Sequence, residues 1–264
     1  MTCLSTRMPL NHIARGDGQP VIMIHGMAAS RFDWELLSPA LHHAGYRTYE
    51  VDLLGHGDSH KPIDAQAYNI AAVYASLDSW IANLDLQPPF TLVGHSMGGY
   101  LSLNFSLQHP ELVRSLVLID PLYSISQLAP VFRILHRRPG LGIRALEKVP
   151  QHVIDTIVGL DPNMGRNLPR WARQQVAIDI KRASPHILNL PRTVPDLTPE
   201  LPRLQTPVQV IWGEKDLTLN PGSFPSLVSA LPNAQGHPIP NCGHQPHLTQ
   251  PEIVNRLVLS FLGC

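Results

Sequence analysis

The chain has few of the residues that mark disulfide-stabilised or metal-binding proteins. It contains three cysteines in 264 residues, Cys3, Cys242 and Cys264, an odd number at wide spacing. Its 14 histidines are scattered, without the His-x-x-x-His or paired-cysteine spacing of common metal sites. We therefore expect reduced thiols, no disulfide framework, no metal and no cofactor.

An excess of charge of one sign and long apolar runs are also absent. Lys plus Arg equals Asp plus Glu at 20 each, so the whole chain has no electrostatic bias towards nucleic acid. No run approaches the roughly 20 apolar residues of a membrane span, and the N-terminal segment lacks a signal-peptide core. We expect a cytoplasmic protein with a small-molecule substrate, no nucleic-acid partner and no stable membrane insertion. Its oligomeric state is open between monomer and dimer.

Short, nearly continuous apolar runs recur along the chain and end in Gly, His, Asp or Pro. Runs of this kind are typical of strands buried on both faces of a parallel sheet. The predicted strands are Pro20–Ile24, Tyr46–Val51, Phe90–Val93, Val113–Ile119, Val208–Trp212 and Gly236–Pro240. Helical periodicity lies between them, at Trp34–His43, Tyr68–Leu84, Met97–Gln108 and Ile253–Leu262. This alternation predicts a doubly wound α/β sheet, in which reactive groups lie beyond the carboxyl ends of the strands.

Residues 121–200 interrupt this alternation. They contain helical fragments divided by prolines and glycines, which are Leu128–His136, Ile143–Lys148, Val153–Val158 and Trp171–Arg182. We interpret them as a helical cap inserted into a core domain made of residues 1–120 and 201–264. The cap holds 11 Lys or Arg and 6 Asp or Glu, a net charge of +5. Its large apolar residues predict an apolar pocket for an acyl chain or ring, and its charge weakly favours anionic substrates.

The motif Gly94-His95-Ser96-Met97-Gly98 follows a predicted strand and opens a predicted helix. This is the context of a nucleophile elbow, in which a sharp turn presents a serine hydroxyl above a helix N-terminus. The glycines on either side relieve crowding in the turn. Ser96 is therefore the candidate nucleophile.

The motifs of the chain resemble those of the α/β-hydrolase superfamily, in particular its small capped bacterial members. Besides the elbow, the matching segments are His25-Gly26, the run from Asp52 to Ser59, Gly213-Glu214-Lys215-Asp216 and the run from Cys242 to Pro246. The resemblance implies an α/β-hydrolase fold, with a mostly parallel, doubly wound sheet of about eight strands and the cap after the sixth strand. It also implies cofactor-independent hydrolysis.

A serine hydroxyl needs a general base, and that base needs an orienting carboxylate. The chain order expected in this fold is serine, acid, histidine. By resemblance, Asp216 is the acid and His244 is the base. Two alternatives stay open, His247 as the base and Asp120 as the acid. The other motif histidines, His25, His56 and His95, are interpreted as hydrogen-bonded scaffold or pocket-wall residues.

The negative oxygen of a tetrahedral intermediate requires an oxyanion hole. The backbone N–H of Met97, which follows the nucleophile, is one expected donor. By resemblance, the backbone N–H of Met27 is the other.

The resulting hypothesis is a carboxylesterase-like serine hydrolase that cleaves an ester or thioester of a small, largely apolar substrate through an acyl-enzyme. One alternative is a C–C bond hydrolase or lactonase that uses the same residues. Another is a non-catalytic ligand receptor on a hydrolase scaffold. Relatives that act on epoxides or haloalkanes carry an aspartate where this chain has Ser96.

Overall fold

The centre of the fold is a seven-stranded, mostly parallel sheet. We describe it from a computed structural model that covers residues 10–130, 132–133, 139–160 and 168–263. The strands are β1 (His12–Arg15), β2 (Gln19–Ile24), β3 (Tyr46–Val51), β4 (Phe90–His95), β5 (Val113–Ile119), β6 (Val208–Gly213) and β7 (Ala234–Ile239). Their spatial order is β1-β3-β2-β4-β5-β6-β7. Only β1 runs antiparallel to its neighbour among these strands.

Helices cover both faces of the sheet. The α-helices of the described ranges include α1 (Ser38–His43), α2 (Ile70–Ala82), α3 (Met97–Gln108), α4 (Pro139–Lys148), α5 (Gln151–Leu160), α6 (Arg170–Arg182), α7 (Phe224–Ala230), α8 (Pro246–Thr249) and α9 (Pro251–Leu262). A 3-10 segment, Pro185–Thr193, follows α6. None of the helices that the structure describes combines the length and apolarity that a membrane crossing requires.

Successive side chains along the strands point to opposite faces of the sheet, and each face has its own hydrophobic core. In β5, Leu116 and Leu118 pack into one hydrophobic cluster, with side chains of α2, α3 and α7. Val117 and Ile119 point to the opposite face and join a second cluster, with side chains of α1 and α9. Continuous apolar runs are therefore what a sheet covered on both sides requires.

The strand count differs from the sequence-based expectation of about eight strands with a cap after the sixth. The sheet has seven strands over the described residues, and the chain leaves it for the insertion after β5. The count of eight came from the family resemblance, whereas the apolar runs themselves predicted six strands. The structure adds β1 at the edge, whose His12–Arg15 residues alternate between exposed and half-buried. Such a strand has no continuous apolar run to reveal it.

The segment between β5 and β6, residues 120–207, is called the insertion below. Helices α4, α5 and α6 contain three of the four predicted helical fragments. The fourth fragment is covered only in part, because residues 131 and 134–136 lie outside the described residues, as do Cys3 and Cys264. The insertion has a small core of its own, in which the buried residues are Ile154, Val158 and Ala177.

Two sets of hydrogen bonds join the insertion to the sheet domain. The N–H of Ser184 donates to the carbonyl of Gly55 (2.8 Å), and the hydroxyl of Ser30 donates to the carboxylate of Asp179 on α6 (2.8 Å). At its other end, Leu128 forms an isolated antiparallel bridge with Leu219. The insertion is thus tied to the loop that follows β6.

Candidate active site

Ser96 lies in the tight turn between β4 and α3. Its backbone has φ 50° and ψ −113°, which places a non-glycine residue in a region that costs conformational energy. The turn is held by the N–H of Ser96, which donates to the carbonyl of Ile119 (3.0 Å), and by the carbonyl of Ser96, which accepts from Leu122 (3.0 Å). These contacts with β5 and with the start of the insertion therefore hold Ser96 in its strained backbone conformation.

The glycines around Ser96 are required by close backbone approach. A Cβ atom at Gly94 would come within 2.5 Å of the Gly98 carbonyl and of the Ser102 hydroxyl. A Cβ atom at Gly98 would overlap the backbone of Ile24 on β2. The elbow can therefore approach the sheet only with glycine at these two positions.

The structure brings Ser96, His244 and Asp216 into one hydrogen-bonded chain. Asp216 lies in the loop after β6, and His244 lies in the loop between β7 and α8. Nδ1 of His244 is 2.7 Å from Oδ2 of Asp216, and Nε2 of His244 is 2.9 Å from Oγ of Ser96. A carboxylate only accepts, so Nδ1 carries the proton. The unprotonated Nε2 then accepts from the Ser96 hydroxyl.

The surroundings of Asp216 and Asp120 shift the pKa values of these two carboxyl groups in opposite directions. Burial opposes ionisation of Asp216, but His244 and the N–H groups of Thr218 and Leu219 (2.7 and 3.0 Å from Oδ1) outweigh it and lower its pKa. Burial and the nearby Asp216 charge raise the pKa of Asp120 well above its ordinary value. Asp120 accepts instead from the N–H of Gly213 (3.0 Å). Asp216 is thus the ionised partner of His244.

Among the alternatives considered from sequence, His247 lies on α8 behind the site. It is fully buried, and its ring is tilted by 56° against that of His95 with 4.5 Å between ring centroids. Burial and the neighbouring His95 lower the pKa of His247 to about 4. The hydroxyl of Ser96 is contacted by His244 and not by His247.

His25 determines how the loop beside Ser96 is oriented. The N–H of Leu53 donates to Nε2 of His25 (3.0 Å), so the neutral ring carries its proton on Nδ1. Nδ1 then donates to the carbonyl of Gly26 (2.7 Å). The N–H of Met27 belongs to the same planar trans peptide and points away from that carbonyl. His25 therefore sets the direction of the Met27 N–H.

A small apolar cavity of about 60 Å³ adjoins Ser96. Met27 and Met97 line it beside the serine, and the insertion contributes most of the opposite wall. Its lining residues are Met27, Ser96, Met97, Leu122, Ile125, Leu128, Leu190, Pro191, Val194, Thr218 and Leu219. A second cavity of about 260 Å³ shares Met27, Leu128, Pro191 and Thr218 with the first. Within the described residues, neither lining includes a charged side chain.

Two buried groups of carboxylate and imidazole side chains have donor atoms close enough to surround a cation. One is Asp33, His95 and His247, and the other is Asp120, Asp216 and His244. Each group contains a His-to-Asp hydrogen bond, of 3.1 Å for His95 and 2.7 Å for His244. The geometry of both groups is therefore explained by proton-mediated contacts.

A family model described as alpha/beta hydrolase fold matches residues 19–251. The chain belongs to this family. The matched range includes Ser96, Asp216, His244 and the complete insertion. Membership of the family and the hydrolases among its relatives support hydrolase activity.

Similar proteins include esterases and an epoxide hydrolase. Carboxylesterase YbfK of Bacillus subtilis is 30% identical, over 98% of this chain and 86% of its own length. Bifunctional epoxide hydrolase 2 of Rattus norvegicus is 22% identical over 96% of this chain, which spans 53% of that protein. The solved structure of an esterase from Thermogutta terrifontis superposes with a TM-score of 0.81 at 23% identity, covering 99% of this chain and 95% of the other. This last likeness shows the fold.

Sequence reasoning missed Asp33. It lies in a short 3-10 helix, Arg31–Trp34, and its carboxylate is 4% exposed. Oδ2 of Asp33 is 3.1 Å from Nδ1 of His95. A single acidic residue in a turn has no motif of its own. Only the short distance in sequence from His25-Gly26 could have directed attention to it.

Proposed function

We propose that this protein is a serine hydrolase of the carboxylesterase type that cleaves uncharged esters with a short acyl group. The observation that carries the proposal is the chain of hydrogen bonds from Ser96 through His244 to ionised Asp216. The relationship to carboxylesterase YbfK supports it. The proposal assigns Ser96 as nucleophile, His244 as general base and then acid, and Asp216 as the group that orients His244.

In the acylation step, the hydroxyl of Ser96 gives its proton to Nε2 of His244 and its oxygen attacks the ester carbonyl carbon. The carbonyl electrons move to oxygen, and the N–H groups of Met27 and Met97 stabilise this charge. Asp216 stabilises the imidazolium as it forms. The tetrahedral intermediate then expels the alcohol, which leaves with the proton held by His244.

In the deacylation step, His244 removes a proton from a water molecule, which attacks the acyl carbon. The second tetrahedral intermediate releases the carboxylic acid, and the proton returns to Ser96. Each half of the reaction uses the same base and the same N–H donors, so one geometry serves both.

The size and polarity of the cavities define the substrate class in this proposal. The cavity beside Ser96, at about 60 Å³, is well below the roughly 150 Å³ that accommodates a benzene ring. We assign it to an acyl group in the range from acetyl to butyryl. Because its described lining is uncharged, a carboxylate there would lose its hydration without a partner. The site itself therefore favours neutral substrates, despite the net charge of +5 on residues 121–200.

Hydrolysis of 4-nitrophenyl butyrate, compared with cleavage of a vinylogous diketone, tests the proposal. We expect ester hydrolysis that Ser96→Ala reduces by at least about 10³-fold. Ser106→Ala is the matched control, because Ser106 is a buried serine on α3, the helix that follows Ser96, and its hydroxyl donates to the Ser102 carbonyl. Diketone cleavage alone would indicate a C–C hydrolase. A folded protein inert towards both substrates would indicate a receptor.

A further inference from the structure

The side chains of His95 and Asp33 form a buried pair next to the proposed reacting groups. The side chains of Asp33 and His95 are 4% and 3% exposed, and Nδ1 of His95 is 3.1 Å from Oδ2 of Asp33. The other ring nitrogen of His95, Nε2, is 2.9 Å from the backbone carbonyl oxygen of His244. His95 therefore connects a buried carboxylate to the main chain of the proposed general base.

Counting donors and acceptors determines the charge of His95. The carbonyl oxygen of His244 can only accept a hydrogen bond. Burial opposes ionisation of Asp33, but contacts with His247 and His95 outweigh it and hold the pKa of Asp33 far below its ordinary value. Asp33 is thus an ionised carboxylate, which also only accepts. A neutral imidazole has one N–H donor, so it cannot make both bonds.

The other titratable groups around His95 are compatible with one positive charge at this position. The ring of His247 contacts that of His95, and the pKa of His247 is lowered to about 4, so it is neutral near pH 7. The ring of His244 lies 5.1 Å from that of His95 and is engaged by Ser96 and Asp216. Burial lowers the pKa of His25, which also interacts with Asp33 and His95. Asp33 is thus the counter-charge in direct contact with His95.

The pair of His95 and Asp33 is connected to the segments that carry the nucleophile, the base and an oxyanion donor. His95 precedes Ser96 in the chain and holds the carbonyl of His244. Oδ2 of Asp33 also accepts, at 3.4 Å, from the N–H of Gly26, next to the peptide that presents Met27. Charge-assisted hydrogen bonds are roughly twice as strong as neutral ones, and a buried charge is tolerated when it is paired. The pair can therefore fix the relative positions of the nucleophile, the base and an oxyanion donor.

We propose that His95 is a positioning residue that acts as a buried imidazolium, paired with Asp33, and holds the main chain of His244 in register with Ser96. The effect on catalysis rests on the proposed function, whereas the charge of the pair does not. His95 touches no reacting atom in this scheme. Its contribution is to the geometry and therefore to kcat.

Nuclear magnetic resonance of the full chain tests the charge directly. Long-range ¹H–¹⁵N correlation spectra at pH 8 report the protonation of each ring nitrogen, and the His95 signals are assigned by their loss in His95→Gln. We expect both nitrogens of His95 to be protonated, whereas in Asp33→Asn the ring becomes neutral. A single neutral tautomer of His95 in the wild-type protein would overturn the proposal, whatever the enzyme assays show.

Kinetics of the same variants test the positioning role. Both His95→Gln and Asp33→Asn should lower kcat for a short-chain ester by about 10- to 100-fold and leave KM within about threefold, because the apolar pocket is unchanged. His42→Gln is the control. His42 is a half-buried histidine on α1 whose Nε2 is 2.8 Å from the Thr48 hydroxyl, and its replacement should affect stability but not kcat. An unchanged kcat in folded His95→Gln, or an equal loss of kcat in His42→Gln, would overturn the positioning role.

Discussion

The sheet domain and the insertion contribute to the site in different ways. The loops at the carboxyl ends of the strands contain Ser96, Asp216 and His244. Each of these residues is fixed by hydrogen bonds to neighbouring strands or loops. The insertion contributes apolar walls, such as Leu128 and Leu190, to the cavity beside Ser96. The sheet residues that support the site pack into two large cores, whereas the insertion has only a small core of its own.

For the proposed function, this contrast predicts that the sheet domain carries the chemistry and that the insertion carries the selectivity. Substitutions in the loops at the carboxyl ends of the strands should alter the rate of bond cleavage for all substrates alike. Changes in the insertion should alter which substrates are accepted, or how firmly the two parts are held together. The predictions below test this division, from the largest expected effect to the smallest.

The same substitution should affect kcat strongly at Asp216 and hardly at all at Asp120. Asp216→Asn removes the negative charge that orients His244, and we expect kcat to fall by about 10³- to 10⁴-fold. Asp120→Asn replaces a protonated acid with a neutral group of the same shape and should change kcat by no more than about threefold. Steady-state ester hydrolysis measures both. A large loss in Asp120→Asn with little change in Asp216→Asn would reverse the assignment.

Leu128→Ala should change selectivity with little effect on the reaction itself. Leu128 lines both cavities, so we expect its truncation to widen the connection between the 60 Å³ and 260 Å³ spaces. We expect the ratio of kcat/KM for the octanoate and butyrate esters to rise at least about tenfold, since even one additional methylene bound in an apolar pocket is worth about 1–3 kcal/mol. Leu160→Ala is the control, at a 78% exposed position in the insertion. An unchanged chain-length profile in Leu128→Ala would exclude this cavity as the acyl site.

Asp179 should make the junction between the two parts sensitive to pH. Burial raises the pKa of Asp179 to about 6, despite hydrogen bonds from Ser30 and Gln175. The folded protein therefore holds this proton to higher pH than the unfolded chain, and stability from this group falls as the pH rises from about 4 to about 6. A pKa difference of about two units predicts that Asp179→Asn gains about 2–3 kcal/mol relative to wild type between pH 4 and pH 7.

Urea unfolding of both proteins at the two pH values measures this difference. Asp155→Asn, which changes an exposed carboxylate on α5, provides the comparison and should show no such gain. If Asp179→Asn and wild type differ by the same amount at pH 4 and pH 7, the buried carboxyl does not titrate as described.

Arg182→Ala should have the smallest effect. Arg182 on α6 pairs with Asp58 of the sheet domain, and the two side chains are 35% and 46% exposed. Ion pairs at this exposure contribute about 0–1 kcal/mol and are screened by salt. We expect a loss of unfolding free energy below about 1 kcal/mol that disappears at high ionic strength. A loss above about 2 kcal/mol would show that this ion pair holds the insertion in place.

The features that follow a local rule were predictable from sequence. The elbow around Ser96 is a strand, a turn and a helix in direct succession, and the mostly parallel sheet follows from its apolar runs. The edge strand β1 was missed because half-exposed residues carry no such run. The partnership of Asp33 with His95 could not be predicted, since the two residues are 62 positions apart and meet only because β2 and β4 are neighbours in the sheet. The bridge between Leu128 and Leu219 depends in the same way on tertiary contact.

Labelling with a fluorophosphonate probe tests most directly whether Ser96 is activated by His244. The account predicts one covalent adduct per chain, located on the peptide that contains Ser96, and its loss in both Ser96→Ala and His244→Ala. Peptide mass spectrometry of the labelled protein gives the position. An adduct elsewhere in the chain, or labelling of Ser96 at the wild-type rate in folded His244→Ala, would contradict the account.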